Sequence, residues 1–293
     1  MKFPAFDYAR PDTLEDALAL LSSHRGEAKA LAGGQSLMPM LAFRLAAPRL
    51  LVDLARIPGL NRIVIGADSV RLGALVRWVD IERHATLSAA HPLLAEAIKH
   101  VAHYQIRNRG TVGGSLAHAD PAAEMPGIAV VCDAEIAIAG PRGLNTIAAG
   151  DFFIGALSTV LQPDELIVDI RLPAWPSARC WAFEEFTRRA GDFSLAGVAL
   201  FYDLDSSGYV LDPHIAAIGV SDRPVRLRAA EAAIVGAKIA VDSIRAAAAA
   251  APHHIDIAGD IHAPADYRSA LLSILTQRAL ARAACLSIPE ETS

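Results

Sequence analysis

Apolar positions along this chain follow two periods, and the switches between them outline its elements. Thr13-Leu14-Glu15-Asp16 has the form of a capping-box start, and Leu14, Ala17, Leu18 and Leu21 then recur on one helix face. Residues 28–31 form a short apolar run that predicts a strand, residues 37–45 predict a returning helix, and residues 50–53 predict a second strand. Residues 1–55 therefore read as a small α/β unit. Ile63, Val64 and Ile65, the turn Gly66-Ala67-Asp68-Ser69, and Val70, Leu72 and Leu75 give a hairpin signal. Helices are expected over 78–84, 92–102 and 125–132, and strands over 135–139 and 166–172. Pro173-Ala174-Trp175-Pro176-Ser177 is the best linker candidate, with two prolines in four residues. Beyond it, 180–187, 196–204 and 210–219 read as three strands, and 228–235, 242–250 and 266–286 as helices. A run of strands followed by a run of helices implies a separate C-terminal α+β lobe. The residues from Pro289 onward are expected to fray. No internal repeat is present.

Two glycine pairs interrupt this pattern. The first, Ala32-Gly33-Gly34-Gln35-Ser36, follows the predicted strand at 28–31. The second lies in Thr111-Val112-Gly113-Gly114-Ser115-Leu116-Ala117-His118-Ala119-Asp120-Pro121 and is read as a loop. Paired glycines tolerate positive φ and let backbone N–H groups approach a ligand that a Cβ would hold away. Successive N–H groups of this kind form anion-binding nests. Two such segments imply a ligand with two ends to hold, such as a dinucleotide.

These segments carry a resemblance. Leu31-Ala32-Gly33-Gly34-Gln35-Ser36-Leu37-Met38-Pro39 and the stretch from Ile106-Arg107-Asn108-Arg109-Gly110 through Pro121 resemble the two FAD-binding segments of the medium, flavin-carrying subunit of molybdenum hydroxylases, the xanthine dehydrogenase and carbon monoxide dehydrogenase family. The likeness runs from Phe3-Pro4-Ala5-Phe6-Asp7-Tyr8, through Asp164-Glu165-Leu166-Ile167 and Arg171-Leu172-Pro173, to Arg188-Arg189-Ala190-Gly191-Asp192-Phe193. It implies an α+β fold: a two-part PCMH-type FAD-binding domain over 1–173 (1–55 and 56–173), then a C-terminal domain of a three-stranded sheet with helices over 178–288.

The resemblance also implies a set of cofactor-binding residues and no catalytic side chain. Lys29, Ala30 and Leu31 lead into Ala32, Gly33, Gly34, Gln35, Ser36 and Leu37 at the pyrophosphate. Ile106, Gly110, Thr111, Val112, Gly113, Gly114, Ser115, Ala117 and His118 close on the other side of the cofactor. Asp120 and Glu124 stand nearby as acceptors for ribose or adenine groups, and Ile167 packs on the cofactor. Asp192 and Phe193 face the flavin from the second domain. Each has a plainer alternative: Asp120 as a helix N-cap ahead of Pro121, Ile167 and Phe193 as core, Asp192 as a turn residue. Two positions depart from the family. Gln35 stands where carbon monoxide-type members tend to carry His, and Ser115 where many members carry Asn. A hydroxyl replaces one amide hydrogen bond but not two.

Composition narrows the picture. The 293 residues are 53% hydrophobic and 20% charged with a formal charge of −5, which argues against nucleic acid as a partner. Arg107 and Arg109 are the nearest approach to a basic cluster. No stretch approaches the ~20 apolar residues of a membrane span. Phe3-Pro4-Ala5-Phe6-Asp7 breaks any cleavable-signal pattern, so a cytoplasmic protein is expected. Cys132, Cys180 and Cys285 are scattered, which rules out a four-cysteine iron–sulfur cluster within the chain. His100 and His103, read as three apart on one helix, lack a third metal ligand, so no metal is expected. A nucleophile elbow and a phosphate-binding P-loop are absent.

The resemblance therefore implies a non-covalent FAD subunit of a molybdenum-containing enzyme. A small 2Fe–2S subunit and a large molybdenum-cofactor subunit would be its partners, in a dimer of heterotrimers. Electrons would pass from the clusters through FAD to an external acceptor. A free-standing flavin oxidoreductase and a non-catalytic assembly subunit are the alternatives.

Overall fold

The computed structural model describes residues 3–286, so the expected fraying from Pro289 lies outside the described residues. The chain opens with β1 (Asp7–Ala9), α1 (Leu14–Ser23), β2 (Ala28–Leu31), α2 (Leu37–Ala42) and β3 (Leu50–Asp53). The hairpin β4 (Ile63–Ile65) and β5 (Ser69–Gly73) follows, then α3 (Trp78–Arg83), α4 (Leu87–Ala90) and α5 (Pro92–Ile98). Next come α6 (Tyr104–Arg107), α7 (Val112–His118), α8 (Glu124–Val131), β6 (Glu135–Gly140) and β7 (Gly143–Ala148). A short turn α9 (Ala149–Phe152) leads to β8 (Phe153–Gly155), β9 (Ser158–Thr159) and β10 (Leu166–Pro173). The remainder is β11 (Cys180–Phe186), β12 (Ala196–Leu204), β13 (Val210–Ile218), β14 (Val225–Arg226), α10 (Arg228–Ile234), α11 (Val241–Ala250) and α12 (Ala265–Ala283).

These elements form two compact units that interleave along the chain. The first holds the residues through Ala90, His103–Ala119 and Asp133–Ala174; the second holds His91–Ala102, Asp120–Cys132 and the chain from Trp175. The division at Ala174 and Trp175 falls inside the proline-rich segment.

Unit 1 contains a parallel sheet ordered β1-β3-β2 and an antiparallel sheet ordered β4-β5-β10-β6-β7. Thr13 caps α1, its hydroxyl accepting the Asp16 N–H at 3.1 Å, which satisfies one orphan donor of the first turn. Ala17 and Leu21 of α1 then bury against Ala28, Leu50 and Val52 of the parallel sheet. β6 pairs with β7 from Glu135↔Ala148 to Gly140↔Gly143. Most of β7 is exposed, so it lacked the apolar signal that marks a strand in sequence.

Unit 2 is built on an antiparallel sheet ordered β11-β12-β13-β14. The expected three-stranded sheet is thus four-stranded. The fourth strand spans only Val225 and Arg226, too short to show a period. One face carries Val198, Leu200, Tyr202, Ile215 and Ala217 against Ile244 and Ala247 of α11 and Leu272, Leu275 and Ala279 of α12. Helices α5 and α8, from earlier in the chain, pack on the opposite face. This explains why the first seven residues of β12 are all buried: a sheet covered on both faces has no polar side. All eight residues of α8 are buried as well.

A buried ion pair closes the edge of this sheet. The Glu231 carboxylate accepts the Ile215 N–H at 2.8 Å, Arg226 Nε at 2.5 Å and Arg228 Nη1 at 3.1 Å. Glu231→Ala removes the charge that faces buried Arg226. It should lower the unfolding free energy, measured by urea titration, by roughly 3–5 kcal/mol.

Candidate functional site

The two glycine segments, some eighty residues apart in sequence, meet in unit 1. β2 delivers the first directly from the sheet. Lys29 is exposed on that strand, Ala30 to Gln35 are half-buried and Ser36 is exposed. A Cβ on Gly33 would lie 2.1 Å from the Arg109 carbonyl oxygen and 2.9 Å from the Gly110 Cα. A Cβ on Gly114 would stand 3.8 Å from Ala32. Only glycine permits the first of these approaches, because what opposes it is backbone and cannot swing away.

Within the first segment the carbonyls of Gly33, Gly34 and Ser36 are engaged while the amides are open. The Gly34 carbonyl accepts the Met38 N–H at 3.0 Å, Ser36 accepts that of Met40 at 3.2 Å, and the Gly33 carbonyl accepts Gln35 Nε2 at 3.1 Å. The N–H groups of Gly33, Gly34, Gln35 and Ser36 make no hydrogen bond to any described residue. Gly34 has φ +74°, a left-handed conformation of the kind found in backbone nests. The Ser36 side chain caps no backbone group of α2. Four successive unused donors beside a free hydroxyl are the kind of group an anion would need.

The second segment behaves differently, and here the expectation of a loop is corrected. Val112–His118 is helix α7, with Thr111 as its N-cap. Its amides are already used: Val112 donates to Val76 O at 2.9 Å, Gly113 to Ala74 O at 2.8 Å, Gly114 to Thr111 Oγ1 at 3.2 Å, and Ser115 to Thr111 O at 3.0 Å. Gly113 is there for packing, since a Cβ would fall 2.6 Å from that of Ala74. Gly110 lies under Trp78, whose Nε1 would be 2.7 Å from an added Cβ. What this segment offers is side chains: half-buried Ile106, Ser115 and His118 and exposed Ala117. Arg107 is drawn to Glu82 at 2.8 Å, while Arg109 is exposed and contributes its carbonyl at Gly33. Ile167 is 5% exposed and pairs with Ile138.

Asp120, Glu124, Asp192 and Phe193 belong to unit 2. The plainer alternative for Asp120, a helix N-cap, does not hold. Its carboxylate accepts the Ala122 N–H at 2.9 Å and its carbonyl that of Ala123 at 3.1 Å, and α8 begins only at Glu124. Asp192 and Phe193 lie in the β11–β12 loop; Phe193 is 68% exposed, so the core alternative does not hold for it. His100 and His103 do not share a helix either. α5 ends at Ile98, Ala102 has φ +41°, and His103 precedes α6.

Two buried carboxyls in unit 2 add electrostatic character. Burial pushes Glu124 up to about 7, and the Asp120 charge adds to the shift. Burial pushes Glu185, whose side chain is 2% exposed, up to about 8, and Glu124 adds to that shift. His100 Nδ1 stands 3.9 Å from Glu185 Oε2. Glu185 lies outside the glycine motifs, although Phe183-Glu184-Glu185-Phe186 held a signal for it. Adjacent glutamates on a strand must point to opposite faces, and both faces of this sheet are covered.

Residues 4–175 match the model of the FAD binding domain in molybdopterin dehydrogenase, and residues 181–283 that of the CO dehydrogenase flavoprotein C-terminal domain. The chain belongs to the FAD-binding medium subunits of the molybdopterin dehydrogenases. Within this family it is 38% identical to the 6-hydroxypseudooxynicotine dehydrogenase complex subunit alpha of Paenarthrobacter nicotinovorans, over 100% of this chain and 99% of that one. It is 38% identical to caffeine dehydrogenase subunit beta of Pseudomonas sp. strain CBB1, over 97% and 96%. A solved carbon monoxide dehydrogenase from Hydrogenophaga pseudoflava superposes with a TM-score of 0.94 at 38% identity, covering 97% of this chain and 99% of its counterpart. Members are subunits of multi-subunit oxidoreductases, and this chain is one such subunit.

The raised carboxyls give this chain's stability a pH dependence. A glutamate held near 8 when folded and near the ordinary 4.5 when unfolded contributes stability that is complete below pH 4.5. That stability is lost as pH rises toward 8. Glu185→Gln should therefore flatten the decline measured by urea titration between pH 5 and pH 8. Its advantage over the parent should grow across that window by on the order of 1–3 kcal/mol.

Proposed function

We propose that this chain holds FAD non-covalently as the flavin outlet of a molybdenum-containing hydroxylase or dehydrogenase. Electrons would reach it from 2Fe–2S clusters in a small partner subunit, after oxidation of substrate at a molybdenum cofactor in a large one, and leave to an external acceptor. The observation that carries the proposal is the open donor cradle at Gly33, Gly34, Gln35 and Ser36, locked against the backbone of Arg109 and Gly110. A diphosphate needs several donors at close range, and backbone amides supply them without a flexible charged side chain.

FAD, when bound, supplies one- and two-electron redox chemistry; the protein's part is to bind, orient and shield it. In this reading Ala32 to Ser36 hold the diphosphate, with Lys29 to Leu31 leading in and Leu37 beginning the helix beyond. Thr111 and Ser115 present hydroxyls, the Thr111 oxygen already accepting from Gly114. Ile106, Gly110, Val112, Gly113, Gly114, Ala117 and His118 shape the wall, and Ile167 supplies apolar contact. Asp120, Glu124, Asp192 and Phe193 of unit 2 complete the set, on the strength of the family resemblance.

Two features support division of labour among subunits. The sequence has three cysteines, one short of a four-cysteine cluster, so the clusters belong to another polypeptide. Relatives named for caffeine, for 6-hydroxypseudooxynicotine and for carbon monoxide stand at the same 38% identity. Substrate choice therefore fits the large subunit, and the full complex is a dimer of heterotrimers in the cytoplasm. Among the described residues, no helix is long and apolar enough to cross a membrane.

The purified chain, alone or co-expressed with its partners, should show a flavin absorption spectrum and release near-stoichiometric FAD on acid precipitation. Protein that stays colourless in both forms after incubation with FAD would reject the assignment. Gly33→Ala, which forces the Arg109 carbonyl away, should weaken FAD binding at least tenfold in a fluorescence titration.

A further inference from the structure

Helix α12 carries an arginine that no feature of the family resemblance singles out. The Arg268 side chain is 5% exposed. Its Nη1 donates to the Leu195 carbonyl at 2.6 Å and also to the Gly219 carbonyl, and its Nη2 donates to Asp260 Oδ2 at 2.7 Å. Its Nε is buried and has no hydrogen-bond partner, so the orientation of the guanidinium is set by those three acceptors. Asp260 is itself fixed, accepting the N–H groups of His262 and Ala263 at 2.8 and 3.0 Å.

The two carbonyls belong to segments that matter. Leu195 lies two residues after Phe193, and its own N–H closes the β11–β12 loop on the Phe186 carbonyl at 2.9 Å. Gly219 has φ +77°, and a Cβ there would fall 2.7 Å from the Ser194 carbonyl oxygen. Its N–H donates to the Pro121 carbonyl at 2.9 Å, next to Asp120. One guanidinium therefore ties the loop bearing Asp192 and Phe193 to the turn bearing Asp120, through Gly219. These segments are separated by some seventy residues and share no strand pairing.

We infer that Arg268 is a positioning residue for the flavin, setting the spacing between the Asp192–Phe193 loop and the Asp120 turn so that both meet one cofactor. The inference rests on the proposal above that these residues face FAD. A planar fork with donors on two nitrogens reaches three acceptors at fixed angles; a lysine ammonium holds them with no such geometry.

The test uses the full chain with FAD, reading dissociation constant by fluorescence titration, visible circular dichroism of the bound flavin, and thermal midpoint. Arg268→Lys should weaken FAD at least tenfold and alter the flavin dichroism. Asp260→Asn, which loosens the guanidinium without removing it, should do both to a smaller degree and decides the matter if Arg268→Lys does not fold. Glu231→Gln, a destabilised control in the same unit, should leave both flavin readouts at parental values. Parental flavin readouts in folded Arg268→Lys, or equal losses in Glu231→Gln, would reduce Arg268 to a general structural role. Asp120→Ala and Phe193→Ala separate the two claims. If they leave FAD affinity unchanged, the placement of those residues at the flavin fails. If they weaken it while Arg268→Lys does not, the inference alone fails.

Discussion

The close approach at Gly33 constrains much of unit 1. Two backbones touch there, and a Cβ would sit 2.1 Å from the Arg109 carbonyl oxygen, far inside any van der Waals contact. Holding Arg109 at that point fixes its neighbours in turn. Gly110 must pass under the Trp78 ring, and the Trp78 backbone N–H donates to the Gly110 carbonyl at 3.3 Å. Val112 and Gly113 must then reach Val76 and Ala74, which sit at the exit of β5. The segment from α6 into α7 is thus threaded between the end of one sheet and the glycine turn of another. Three glycines, at 33, 110 and 113, are what let it fit.

This threading divides roles between two segments that look alike in sequence. The amides at the start of α7 are consumed in holding the helix to the chain after β5. The amides of the first segment remain open, while the carbonyls of Gly34 and Ser36 serve its own short helix and that of Gly33 accepts from Gln35. A glycine pair is equally suited to exposing donors and to permitting contact between backbones. Which it does depends on what stands opposite.

Unit 2 rests on a different constraint, a sheet with no solvent face. Covering both sides buries the first seven residues of β12, but it also buries Glu124, Glu185, Glu231 and Arg268. Glu231 and Arg268 are held by opposite charges and backbone groups. Glu124 and Glu185 answer burial by retaining protons to higher pH. Buried polar groups of this kind are costly unless satisfied or neutral, and both remedies appear in one small domain.

Periodicity alone located most elements here. The strands at Leu50–Asp53 and Ala196–Leu204 have the bounds their apolar runs predict, α1 starts where its capping box places it, and the helices α8, α10 and α11 fall within a residue or two of the expected limits. The ordered glycine motifs pointed to the family, because their residue types and spacing are local properties of the chain. The tertiary structure decided what depends on distant partners. It supplied β7 and β14, which pair by backbone although one is mostly exposed and the other only two residues long. It brought α5 and α8 onto a sheet made by later residues. It also separated the glycine pairs into a donor cradle and a packed helix start, and gave Arg268 its carbonyl partners. Side-chain pattern is written along the chain, whereas a hydrogen bond or a backbone contact between residues 33 and 109 exists only once folding sets their distance.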